Sequence, residues 1–136
     1  MIPVKELRES LRNLPTKCID SDPPNQIAIS NAKVILDQME AHLLEATYLS
    51  HTADGGVGIV WHSVFTPGRY AHLECENNGS VTGVRADRKI EDHNNPDFCK
   101  FWWVTSLCRP EEDGSLQLSL AEALEHIRCY IWADHK

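Results

Sequence analysis

The chain has 136 residues, 42% hydrophobic and 24% charged, with a formal net charge of −7 when His is neutral. That length predicts one domain over 1–136, able to bury a core without metal or disulfide staples. The acidity disfavours nucleic acid as a partner, and no apolar run approaches the ~20 residues of a membrane span.

The five cysteines, at 18, 75, 99, 108 and 129, are odd in number and scattered. The opening MIPVKELRESL lacks the apolar core and small-residue cleavage site of a signal peptide. Together these predict a reducing, cytoplasmic setting. An acidic surface keeps a protein soluble and suits a basic partner.

Taken in order, the chain first predicts a helix near 3–14, with Val4, Leu7, Leu11 and Leu14 on one stripe and Pro3 in the first turn. Pro15 stops it. The stretch to Ile29 holds Pro23-Pro24 and no periodicity, so it reads as loop, with Ile27 and Ile29 as core or short-strand residues. Ser30 has the chemistry of an N-cap for a helix near 31–46, whose stripe is Ala32, Ile35, Leu36, Met39, Leu43 and Ala46.

The most patterned stretch follows. Asp54-Gly55-Gly56 breaks the chain, and strands are predicted near 57–64, 69–76 and 81–86. Thr66-Pro67-Gly68 and Asn77-Asn78-Gly79-Ser80 are the turns between them. Centring the first turn on Pro67 puts His62 opposite His72 and Trp61 opposite Leu73. A two-residue Asn78-Gly79 turn, which is the commonest reading of Asn-Gly, puts Leu73 opposite Val84 and Cys75 opposite Thr82. One face then collects Ile59, Trp61, Ala71, Leu73, Cys75, Val84 and Ala86, a core. The other collects Val60, His62, Val64, Tyr70, His72, Glu74, Glu76 and Arg85, with Arg85 and Glu74 placed to form a salt bridge.

The polar stretch before Phe98 is predicted loop, and the aromatic run FCKFWWVTSL predicts a fourth strand near 99–106. An acidic loop with Glu111, Glu112 and Asp113 comes next. Leu116–Leu118 fits a short edge strand, and Ser119 with Glu122 forms an S-x-x-E capping box for a helix near 120–133. The class predicted is α+β: an antiparallel meander sheet of three to four strands with the helices packed on it.

Three constellations carry possible chemistry. His62, His72 and Glu74 would share one face, and two imidazoles with a carboxylate suit a transition metal or acid–base work. Cys99 and Cys108 flank the aromatic strand, with His93 near in sequence, but no nucleophile signature surrounds them. Phe98, Phe101, Trp102 and Trp103 crowd one strand; the adjacent tryptophans point to opposite faces, and one of them needs a second cover or a binding partner. C-x-x-C, H-E-x-x-H, G-x-S-x-G and G-x-G-x-x-G are all missing from the sequence, and no cofactor is assigned.

The function expected is a small, non-enzymatic, cytoplasmic protein-interaction module of antitoxin, immunity or inhibitor type. Tyr70, Trp102 and Trp103 are its expected anchors, and Glu74, Glu76, Arg85, Glu111 and Glu112 supply its charges. Pairing of two copies across a two-fold axis is a variant of this reading. The alternative is a small metal-dependent or acid–base enzyme built on the cluster of His62, His72 and Glu74.

Overall fold

A computed structural model describes residues 1–14, 23–52, 55–104 and 116–132. The elements run α1 (Val4–Asn13), α2 (Gln26–Ala41), β1 (Tyr48–His51), β2 (Val57–His62), β3 (Arg69–Cys75), β4 (Val81–Asp87), β5 (Cys99–Val104), β6 (Leu116–Leu118) and α3 (Leu120–Ile131). The strands form one sheet in sequence order, antiparallel from β1 to β5, with β6 parallel to β5. The class is therefore α+β, but the sheet has six strands where three to four were expected. The additional strands are the two shortest. β1 has four residues with Leu49 alone buried, and β6 has three with none fully buried. β6 is the short edge strand expected at Leu116–Leu118, whereas the four-residue β1 has too short an alternation to stand out in sequence.

One hydrophobic cluster lies between the helices and one sheet face. Val4, Leu7 and Leu11 of α1, Ile35, Leu36 and Met39 of α2, and Leu124, Ile127 and Ile131 of α3 meet Ile59, Trp61, Leu73, Cys75, Val81 and Trp102. Arg8 joins α1 to α2 through Asp37 at 2.6 Å and Glu40 at 2.5 Å. Ser63 closes the far end, donating its hydroxyl to the Ile131 carbonyl at 2.6 Å. The Ser119–Glu122 capping box is present in both directions.

The second helix starts and stops earlier than its stripe suggests. Its N-cap is Asn25, not Ser30: the Asn25 side chain accepts from the Ala28 N–H at 2.9 Å. The β3–β4 loop fixes this cap, because Asn25 donates from its backbone to Asn77 Oδ1 and from its side chain to the Asn77 carbonyl. At the other end Leu43 takes φ 54°, and the N–H groups of Leu43 and Leu44 bond back to Glu40 and Met39. These are the two bonds of a Schellman motif, which turns the chain away before Ala46. Leu43 is thereby left exposed, while Leu44 and Ala46 are buried beyond the helix.

The hairpin registers differ from expectation, with different consequences. Between β2 and β3 the loop is longer and its centre lies nearer Thr66, so Trp61 faces Ala71 and His62 faces Tyr70. The displacement is two residues, and every side chain keeps its predicted face. Between β3 and β4 the displacement is one residue. Glu76 bonds to Ser80, and Asn77-Asn78-Gly79 forms a three-residue loop with Gly79 at φ 95°. A type I turn closed by a left-handed glycine is the usual three-residue form. Leu73 therefore faces Gly83 and Cys75 faces Val81. All of β4 is turned over: Val84 and Ala86 leave the core face and Arg85 joins it. The predicted Arg85–Glu74 salt bridge is ruled out by this geometry, since the two now lie on opposite faces.

The turned-over β4 brings Gly83 beneath Trp102, its partner on β5. A Cβ on Gly83 would sit 2.2 Å from the indole of Trp102, which is fully buried. Gly83→Ala is expected to cost about 1–3 kcal/mol, the usual range for overpacking a core. Urea unfolding checks this, and an unchanged midpoint would contradict the Trp102–Gly83 packing.

Candidate functional site

The helices share their core with one face of the sheet. The opposite face carries Tyr48, Val60, His62, Tyr70, His72, Glu74, Thr82, Val84, Phe101 and Trp103, following the pairing of β1 to β5. Among the described residues, none of the three helices contributes to this face.

Its geometry is that of an aromatic row. Tyr48 stacks on His62 with ring centroids 6.0 Å apart, His62 lies 6.3 Å from Tyr70, and Tyr70 stacks on His72 at 6.3 Å. The Arg88 guanidinium lies 4.8 Å from the centre of the Tyr70 ring. On β5, Phe101 and Trp103 meet edge to face at 6.3 Å. β4 carries Thr82 and Val84 between the two groups of rings, and five strands at their normal spacing put about 19 Å between Tyr48 and the pair on β5. Tyr48 and Phe101 are exposed, whereas Tyr70 and Trp103 are half-buried. Loop residues Val64 and Phe65, just after β2, are also exposed.

The row exists because period-two alternation puts Phe101 and Trp103 on the face that Trp102 cannot occupy. Trp102 is buried on the helix side and meets the His126 ring at 5.1 Å. It is a packing residue, and Trp103 is the tryptophan on the side that no described helix covers. Arg85 also lies on the helix side, 4.5 Å from the Tyr130 ring. Glu74 is on the aromatic face, and Glu76 opens the β3–β4 loop. Glu111, Glu112 and Asp113 lie outside the described residues, as do Cys18 and Cys108.

His62 and His72 share the face but are not opposite one another. His62 faces Tyr70 and His72 faces Val60. Among the described residues no group of three His, Cys, Asp or Glu is arranged to hold a metal ion. His72 Nδ1 lies 3.6 Å from Glu74 Oε1, beyond normal hydrogen-bond distance. Burial pushes the His72 pKa below its ordinary value, so at neutral pH this contact joins a neutral ring to a carboxylate. Burial, together with the Glu74 charge, pushes the Cys75 thiol up to about 12, leaving it a protonated core group. Cys99 is exposed, and His93 stacks on Phe98 at 4.3 Å.

The chain matches no family model, no curated protein and no solved structure. Geometry and chemistry therefore carry the functional reading. Tyr48 belongs to the site and was not among its expected residues. The only signal for it was the short alternation Tyr48-Leu49-Ser50-His51, too brief to separate from a connecting loop.

Two histidines give the fold a definite response to acid. Burial pushes both His72 and His126 below 6.5, and the nearby Arg85 and Lys100 charges push His126 further. Just below pH 6.5 the unfolded chain then binds more protons than the folded one, so stability falls as pH drops through this window. The thermal midpoint is expected to decrease from pH 7 to pH 5, and His72→Gln/His126→Gln to flatten that decrease. Parallel slopes for the variant and the parent would contradict the assignment.

Proposed function

We propose that this protein is a non-enzymatic interaction module that binds a basic protein partner through the sheet face that no described helix covers. The observation carrying this reading is the aromatic row from Tyr48 to Trp103 on a face that no described helix covers. Aromatic side chains bury a large area at small entropic cost, and they are enriched among the residues that dominate binding energy. Tyr70, Phe101 and Trp103 act as anchors, with Tyr48 at the edge.

The net charge of −7 supports a basic partner. Acidic groups at Glu74 and Glu76, and in the sequence at Glu111 and Glu112, steer association and lower its rate at high salt. A small acidic inhibitor of antitoxin or immunity type, acting in the cytoplasm, is the form of this reading that the composition favours. No described helix is long and apolar enough to cross a membrane.

The test has two stages. The tagged protein is used to capture its partner from native lysate, and the affinity of the purified pair is then measured. Tyr70→Ala, Phe101→Ala and Trp103→Ala are each expected to cost about 2 kcal/mol, roughly 30-fold in Kd. Each variant is checked for a cooperative thermal transition before its affinity is read, and Lys33→Ala on the exposed side of α2 should leave binding unchanged. Wild-type affinity in all three aromatic variants would overturn the assignment of this face.

A further inference from the structure

A second feature lies on the opposite side of the sheet and is independent of the aromatic row. Where the end of α3 crosses β3 and β4, a cleft of about 360 Å³ is lined by Arg69, Arg85, Asp87, Asp97, His126 and Tyr130. That volume is within the usual range for small-molecule sites.

Two arginines and two aspartates line the cleft, and the arginines converge on one ring. The Arg69 and Arg85 guanidiniums lie 4.8 and 4.5 Å from the centre of one ring, Tyr130. Two cations over a single ring repel each other, and the ring quadrupole offsets only part of that. Asp87 relieves Arg69, with Oδ2 3.6 Å from Nε. That distance is too long for a hydrogen bond, and Arg69 Nε is buried with no hydrogen-bond partner among the described residues. Among those residues Arg85 forms no ion pair with any carboxylate. His126 senses the same field, since Arg85 and Lys100 both disfavour its protonation.

Arg85 occupies this position because of the three-residue loop before β4, which turns its side chain toward the helices. A guanidinium held against a ring keeps its planar fork in place for a planar or tetrahedral anion. We propose that this cleft is a binding site for a small anionic ligand, whose carboxylate or phosphate group bridges Arg85 and Arg69 above Tyr130. The anion supplies the acceptor that Arg69 Nε does not find among the described residues, and the counter-charge that Arg85 does not find among them. Asp97, at the rim, disfavours a second anionic group on its side and selects for a neutral or cationic remainder.

The test uses inorganic phosphate and acetate as separate probes on the full-length protein, with chloride at matched ionic strength as control. Backbone amide shifts are followed by NMR during titration. Saturable shifts at Arg69, Arg85, His126 and Tyr130 with at least one probe, and none with chloride, are expected. Phosphate alone, acetate alone or both then defines the group accepted. Arg85→Gln is expected to weaken binding at least tenfold, while Lys33→Gln leaves it unchanged. The wild-type titration decides the matter even if Arg85→Gln fails to fold. No saturable shift with either probe, shifts located elsewhere, or equal binding by a folded Arg85→Gln variant would overturn the proposal.

Discussion

The indole of Trp102 lies on the bare backbone of Gly83, and much of the molecule depends on that contact. An ideal Cβ at Gly83 would lie 2.2 Å from the ring, so only glycine leaves room for it. Seating Trp102 in the core fixes which way β5 faces. Phe101 and Trp103 must then point to the other side, where they extend the row begun by Tyr48, His62 and Tyr70. The same pairing fixes β4, so that Val81 and Gly83 face the helices and Val84 faces outward. The covered and uncovered sides of the sheet are thus consequences of one packing choice.

The two sides divide the chemistry as well as the packing. The helix side holds the apolar core and ends at the cleft where Arg69 and Arg85 meet Tyr130, with Asp87 and Asp97 beside them. The other side presents rings with few charges, and burial lowers the His72 pKa, so that its ring is neutral at physiological pH. A face that displays aromatics on β1, β2, β3 and β5 and that no described helix covers is costly in water unless something covers it. A binding role for that face gives a reason for keeping it.

Much of this was legible in the residues. Alternation from Val57 to Glu76 placed Ile59, Trp61, Leu73 and Cys75 inward and His62, Tyr70 and His72 outward. Those faces survived a register error because the error was two residues. Ser119 and Glu122 announced the start of α3. What failed depended on distant contacts or on loop length. Asn78-Gly79 fits both a two-residue turn and the glycine end of a three-residue loop. The second form is seen, with Asn77 tied to Asn25 and Gly79 tied to Asn31. That single residue reversed Val84, Arg85 and Ala86. It also hid the arginine cleft, whose members come from Arg69, Arg85, His126 and Tyr130, far apart in the chain. Trp102 and Trp103 were known to face opposite ways, but nothing local distinguished inner from outer; the small residue beneath Trp102 lies on a neighbouring strand.

The most direct test of this two-sided arrangement is hydroxyl-radical footprinting of the folded protein, read residue by residue by mass spectrometry. Tyr48 and Phe101 should be oxidised readily, Tyr70 and Trp103 at intermediate rates, and Trp61 and Trp102 only under unfolding conditions. Oxidation of Trp102 as fast as that of Phe101 in the native state would contradict the account, because the sheet would then present its other side to solvent.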